Sequence, residues 1–341
     1  MQKKLNPMQR FLAIRGIASV LTAFAGVIVL MIIFSILNPN FAKPNSLLTL
    51  MRSVVPFLLV GIGQAYVCIT GNIDLSIGSV LGMSAMISAT MMCNGSHPLV
   101  AVLVAFLACM FTGFINGLLV GKFKLPPFIG TLGTMTIARG VAQLANGNYN
   151  TDNIGSEGAA QMYKDILYYG KTLGIYNGVW IGLIVWAIFF YILTFTRSGR
   201  HIYAIGSNVD AARLSGVNVF ATTTKAYMVS AFCAFLTGLI TMAQSGMGDM
   251  SAGMSYEMYA VAAAVIGGVS TLGGSGLLVG VIAGAGVWAI LQSGLTFANV
   301  PVAFRNIIIG LIVVACVLFD VLRRDGKKSS KKAKKEAVKV A

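Results

Sequence analysis

The sequence predicts an all-α polytopic membrane protein of about ten transmembrane helices, eight to ten, with broken or re-entrant segments. Three observations predict it. First, 57% of the residues are hydrophobic, only 10% are charged and the mean hydropathy is +0.81, whereas a soluble globule carries about 25% charged residues. Second, apolar runs long enough to cross a core of about 30 Å recur along the chain. Third, the 25 basic residues gather in segments bordering those runs, the positive-inside pattern, so the net charge of +15 does not argue for nucleic acid.

The elements follow in order. A basic segment, 1–16, precedes an apolar run too long for a signal-peptide core and without a clear small-residue cleavage site, so a retained first span is expected. The runs fall at 17–37, 49–70, 76–93, 99–121, 126–145, 178–196, 226–245, 257–271, 275–295 and 304–322, which makes 17–322 the membrane domain. The 257–271 run is short and glycine-rich, and the pair across 49–93 is interrupted at Gly71-Asn72-Ile73-Asp74, so re-entrant or broken helices are expected there. Segment 146–177 carries Asn, Gly and Tyr throughout. It reads either as a solvated connector with a short helix at 158–169 or as a surface folded against an outside partner. The tail, 323–341, holds nine basic residues against Asp325 and Glu336 and reads as an anchor on an anionic leaflet.

An inside N-terminus puts nineteen of the 25 basic residues on the inner side, including Lys122, Lys124, Arg197, Arg200, Arg213 and Lys225. Lys43, Arg52, Arg139, Lys164, Lys171 and Arg305 then fall outside or at outer span ends. Both termini and segment 196–225 are therefore expected in the cytoplasm, with 146–177 on the other side. Five cysteines, odd in number and without a C-x-x-C pair, indicate neither a disulfide framework nor a zinc site.

Stretch 196–217 (TRSGRHIYAIGSNVDAARLSGV) is the longest basic, weakly apolar interruption in the second half. Ser207 or Asn208 can cap a short helix over 209–215, Asp210 sits in its first turn and Gly216 can supply a left-handed stop. Ala211 and Ala212 are expected to be exposed, which would let another protein's surface approach closely. A plain connector would not need a capped helix.

Among ten acidic residues, Asp74 lies between two apolar runs, where an ionisable side chain suggests function. The competing and favoured reading is an N-cap for a helix starting at Leu75 or Ser76. Asp249, Glu257 and Asp320 read as span-end groups. The glycine cluster 267–276 permits either close helix packing or a broken helix with free amides. Stretch 266–280, which contains it, shares glycine spacing with 69–82, a hint of internal repetition.

Enzyme readings find little. Gly170-Lys171-Thr172 has Asp165 where a Walker A loop needs its first glycine, so the chain has no such loop for nucleotide. His97 and His201 lie in opposite-side loops, and no H-E-x-x-H occurs, which leaves a serine or zinc protease without its base or ligands. An ion-coupled secondary transporter of a small polar solute stays open, although Asp74 stands nearly alone as an ionisable group between spans.

Four ordered motifs point to a family. Stretch 196–219 closely resembles the cytoplasmic loop of sugar ABC-importer permeases of the ribose, galactose and xylose group, supported by GNIDLSIGSV (71–80), FINGLLVGKFKLPPFIGTLGTM (114–135) and IGGVSTLGGSG (266–276). The resemblance runs from about residue 17 to 322 and implies the ABC importer permease fold in a bacterial inner membrane. It also implies a second permease subunit, usually a copy of itself, a cytoplasmic ATP-binding subunit below and a soluble periplasmic or extracellular sugar-binding protein above. The chain itself would bind no cofactor, ATP and Mg being used by the partner ATPase. Asp210-Ala211-Ala212-Arg213-Leu214-Ser215-Gly216 is similar to the Glu-Ala-Ala docking motif with its downstream Gly, with Asp for Glu and without the Leu-Pro of other importer classes. The coupling residues implied are Arg197, Arg200, Gly206, Asn208, Asp210, Ala211, Ala212, Ser215 and Gly216, the arginines pairing with acidic groups or with membrane lipid headgroups. For an uncharged sugar, Gln64, Asn72, Asp74, Ser76, Asn116 and Thr134 are candidates to line the path. A sugar-like autoinducer would suit the same scaffold.

Overall fold

The computed structural model describes residues 17–305 together with 307, 308, 310–312, 314, 315 and 318. The basic segment 1–16 and the tail 323–341 lie outside the described residues, as does part of the last apolar run. The helices are α1 (Ile17–Leu37), α2 (Pro44–Ile69), α3 (Ile77–Cys93), α4 (Pro98–Gly117), α5 (Pro127–Leu144), α6 (Gly158–Lys164), α7 (Asn177–Phe195), α8 (Arg197–Ser207), α9 (Val209–Leu214), α10 (Val219–Ser245), α11 (Tyr256–Ile266) and α12 (Leu278–Phe297). A wider turn, Leu118–Lys122, prolongs α4. Strands β1 (Lys171–Thr172) and β2 (Ile175–Tyr176) pair antiparallel, Lys171 opposite Tyr176.

Among the described residues, six helices are long and apolar enough to cross a membrane: α1, α2, α4 with its extension, α7, α10 and α12. α10 is the hub. It packs on α2, α3 and α4, while α11 and α12 close over the other side of α2. Tyr66, Tyr227 and Trp288 fill the centre, fully buried. α1 lies outside α12, and its Ile28, Val29, Ile32 and Ile36 are exposed, as are Leu103, Leu107 and Phe111 of α4 and Ile184 and Ile188 of α7. A bundle with apolar residues on its rim is built for hydrocarbon.

The two ends of the bundle differ. At one, Asn38 Nδ2 donates to the carbonyl of Phe297, and Thr151 exchanges two hydrogen bonds with Gly248. The 146–177 segment packs down there: Tyr163 and Tyr169 donate their hydroxyls to the carbonyls of Leu239 and Gln244, and the Arg52 guanidinium lies 3.9 Å from the Tyr168 ring centre. Burial pushes the Tyr168 phenol up, and Arg52 opposes the rise. The helix expected at 158–169 is present as α6 followed by a wider turn, Asp165–Tyr169. At the opposite end sit α8, α9 and the turns that follow α2 and α11.

Two boundaries differ from expectation. Segment 196–225 holds two helices before α10 begins, not one, because Thr196 caps α8 by accepting the Gly199 N–H. α10 then starts at Val219, seven residues before the expected 226: Asn218 accepts the Ala221 N–H, and Thr222, Thr223 and Thr224 are buried although their polarity reads as loop.

Candidate functional site

The first candidate site is the platform of α8 and α9. Asn208, not Ser207, caps α9: its Oδ1 accepts the Ala211 N–H at 2.9 Å, while the Ser207 hydroxyl turns back to the carbonyl of Tyr203. The helix ends at Leu214, with Ser215 as C-cap. Gly216 follows in the left-handed region (φ +82), its N–H donates to Arg213 and the Val217 N–H donates to Ala212. This double closure satisfies the last carbonyls and is natural to glycine.

Ala212 corrects the sequence expectation. It is only 4% exposed and packs with Ile205 and Val217, since a helix of six residues must turn one face inward to be held at all. Ala211, Asp210, Ser215 and Gly216 do face outward, and so does Leu214, at 90% exposed the most open apolar side chain of the platform. Asp210 and Arg213 form an exposed ion pair at 3.4 Å. Arg197 and Arg200 are exposed on α8.

α8 is seated on the bundle by its other face. Ile202 and Ile205 are buried, and the Tyr203 hydroxyl donates to the carbonyl of Gly276 at 2.7 Å. Gly206 lies against the carbonyl of Ile69 and the amide of Gly274, so tightly that a Cβ there would overlap both. Those two groups bond to each other, Gly274 N–H to Ile69 O, at 2.9 Å. The break after α2 and the break after α11, the two stretches with shared glycine spacing, therefore meet beneath α8. With the Gly274 amide satisfied by Ile69 and the Ser270 amide by Ser275, the cluster serves close packing here. A cleft of about 970 Å³ opens beside the junction, lined among others by Asn72, Lys122, Lys124, Asn208 and Arg213.

The second candidate site is a buried polar chain. The Thr134 hydroxyl donates to Asn116 Oδ1 (2.6 Å), Asn116 Nδ2 donates to Ser76 Oγ (2.8 Å), and the Ser76 hydroxyl donates to Asp74 Oδ1 (2.6 Å). Ser230 of α10 supplies a further bond to Asp74 Oδ2 at 2.6 Å. Asp74 is 2% exposed. α3 starts at Ile77, so Asp74 caps neither Leu75 nor Ser76 as a first helical residue; its Oδ1 instead accepts the Ser76 N–H and holds the turn leading into α3. Four of the six expected path residues thus meet, linking α4, α5, α10 and the break before α3. The other two stand apart. Gln64 is buried in α2, its Nε2 3.6 Å from Cys68 Sγ, and Asn72 donates to Thr70 Oγ1 at the large cleft.

α8, Tyr203 and Leu214 were missed from sequence. The signal was present: apolar Ile202 and Ile205 lie three apart behind a Thr196 cap, but Arg197, Arg200 and His201 on the open side make the stretch read as loop. Among the described residues, no group of three His, Cys, Asp or Glu side chains is placed to hold a metal ion.

An apolar-rimmed helical bundle whose broken helices are gripped by an amphipathic platform at one end is the architecture of a polytopic membrane protein. The chain belongs to the permease family described as branched-chain amino acid transport system / permease component, whose model matches residues 46–317. It is similar to the ribose import permease protein RbsC of Bacillus subtilis (strain 168), 34% identical over 93% of this chain and 98% of that protein. RbsC of Escherichia coli (strain K12) is 34% identical over 86% of this chain and 91% of its own length. The autoinducer 2 import system permease protein LsrC of Escherichia coli O9:H4 (strain HS) is 31% identical over 88% and 86%. No solved structure matches the chain.

Proposed function

We propose that the chain is the permease subunit of an ATP-binding cassette importer that carries ribose or a related monosaccharide across a bacterial inner membrane. The observation that carries this reading is the seating of α8 on both helix breaks through Tyr203 and Gly206. A partner that closes on α9 would move the two breaks together, and rigid-body motion of the attached helices would switch access from one side to the other. Near-full-length similarity to the ribose permeases supports the cargo class.

In this reading the chain crosses the membrane ten times, the α3, α5, α11 and 304–322 segments joining the six long helices. Both termini and segment 196–225 lie in the cytoplasm, and 146–177 lies in the periplasm. Arg197, Arg200, Asn208, Asp210, Ala211, Leu214, Ser215 and Gly216 present the docking surface to the ATP-binding subunit, while Ala212 and Gly206 work from behind it. The chain acts with a second copy of itself and a periplasmic sugar-binding protein, and ATP and Mg belong to the ATPase. The Asp74–Ser76–Asn116–Thr134 chain holds the break before α3 in register.

Similarity to LsrC supports a second reading, import of a sugar-like autoinducer by the same machinery. Uptake of labelled pentoses, hexoses and autoinducer 2 in the parent and a deletion strain tests both, with ATP depletion compared against collapse of the proton and sodium gradients. One solute lost in the deletion and dependent on ATP supports the importer and identifies its cargo. Uptake that follows an ion gradient favours the secondary transporter instead.

A further inference from the structure

Toward the platform end of the bundle, a groove of about 340 Å³ runs between α4, α7 and α10. Its mouth is marked by Ser198 of α8 and Lys225 of α10, and its floor is the buried Tyr66 of α2. Lys225 lies six residues beyond the start of α10 and Phe232 seven residues further on, about 10 Å deeper at roughly 1.5 Å per residue. Phe189 of α7 reaches the same depth. There the Phe189 and Phe232 rings meet edge to face at 5.9 Å and Phe106 of α4 crosses Phe232 at 6.5 Å, which closes the inner end.

The inner part offers no hydrogen bond to a polar solute. The Tyr66 hydroxyl is committed to the carbonyl of Phe189 at 2.6 Å, and the rest of the inner lining is aromatic or aliphatic, with Met110 and Met228 able to adapt their shape. A sugar there would lose its bonds to water without replacement. The surface around the groove is apolar as well: Leu103, Leu107 and Phe111 of α4 and Ile184 and Ile188 of α7 are exposed. The groove therefore opens on hydrocarbon and suits a flexible alkyl chain.

At the mouth the chemistry changes. Lys225 is exposed and makes no ion pair or hydrogen bond among the described residues, and no acidic side chain lines the groove. An ammonium on an alkyl stem near the end of a lipid-facing helix lies at headgroup depth. A free cation above an apolar slot is complementary to a lipid, whose anionic phosphate stands above its chains.

We propose that the groove holds one acyl chain of an anionic phospholipid from the leaflet on the platform side, with the phosphate oxygens accepting hydrogen bonds from Lys225 Nζ and the Ser198 hydroxyl. The chain packs against Ile202, one of the two buried isoleucines that seat α8. The lipid thus props the platform from the membrane side, whatever cargo the protein carries.

The full chain, purified in detergent doped with phosphatidylglycerol or with phosphatidylcholine of the same acyl composition, is analysed by native mass spectrometry. The parent is expected to retain phosphatidylglycerol at least fivefold over phosphatidylcholine, as one basic residue beside an anionic lipid implies, and Lys225→Gln to bring the two within twofold. Val229→Trp and Ile192→Trp fill the groove from opposite walls, and each is expected to lower retained phosphatidylglycerol at least fivefold, while Leu107→Trp on the open flank leaves it at the parental level. Equal retention of the two lipids by the parent, or an unchanged preference in Lys225→Gln, overturns the headgroup contact. Parental retention in both groove-filling variants overturns the groove. If those variants instead convert a dimer to monomers with lipid unchanged, the face joins two copies of the chain and the lipid site is wrong. Should a groove-filling variant not fold, the parental ratio and Lys225→Gln still decide.

Discussion

The hydroxyl of Tyr203 donates to the carbonyl oxygen of Gly276 at 2.7 Å, which joins α8 to the turn leading into α12. Burial pushes this phenol up to about 12 from 10.0. A raised folded value means that the neutral phenol is the favoured form in the fold. Its contribution is complete below pH 10.0 and is lost as pH rises through about 12. Tyr203→Phe should lower stability by about 1 kcal/mol at neutral pH and should flatten the alkaline loss over that window. Thermal unfolding of the detergent-solubilised chain at several pH values measures both effects.

Gly206→Ala should disturb the seat more than Tyr203→Phe, because the added Cβ overlaps backbone and not a side chain that can swing away. Sugar uptake should fall at least tenfold while the ATPase still co-purifies, since the outward face of α9 is untouched. Normal uptake in this variant would remove the seat from the mechanism.

Gly216→Val tests a different cost. Open space surrounds Gly216, so the only penalty is its left-handed backbone, roughly 1–2 kcal/mol for a residue with a Cβ. Membrane insertion should be intact and coupled uptake lost, as read by membrane level and transport in the same cells.

Leu214→Glu should leave thermal stability within about 0.5 kcal/mol, as surface substitutions usually do, because the side chain is 90% exposed. It should nevertheless abolish co-purification of the ATP-binding subunit. Retention of the partner would move the docking surface elsewhere.

Ser76→Ala and Asn116→Ala each strand a buried partner and should cost about 1–3 kcal/mol. The double variant should show a coupling energy of about 0.5–3 kcal/mol, because Asn116 reaches Asp74 through Ser76. Additive losses in thermal unfolding would mean that the chain of bonds does not act as a unit.

Much of this arrangement was legible in the sequence for a simple reason: apolar run length marks helices directly, and Asn208 and Gly216 are the residue types that helix ends require. The polar quartet was also visible, because polar groups within apolar runs need partners, although which partners they find depends on how helices pack. What escaped had physical causes. Ala212 faces inward because a six-residue helix is held only by its packed side. The Thr222–Thr223–Thr224 run is buried in a helix despite reading as polar. Arg139 and Glu257, far apart in the sequence, share one cleft because the irregular segment between α10 and α11 folds back onto α5, which no local pattern signals.

The bond between Gly274 and Ile69 has a mechanical consequence. Two discontinuities that could each flex independently are pinned at a shared pivot, and Gly206 rests on that pivot with no gap to take up. In the importer proposed above, a stroke arriving at the platform would meet no backlash: it would be delivered to both breaks at once and in fixed proportion, as through a single crank.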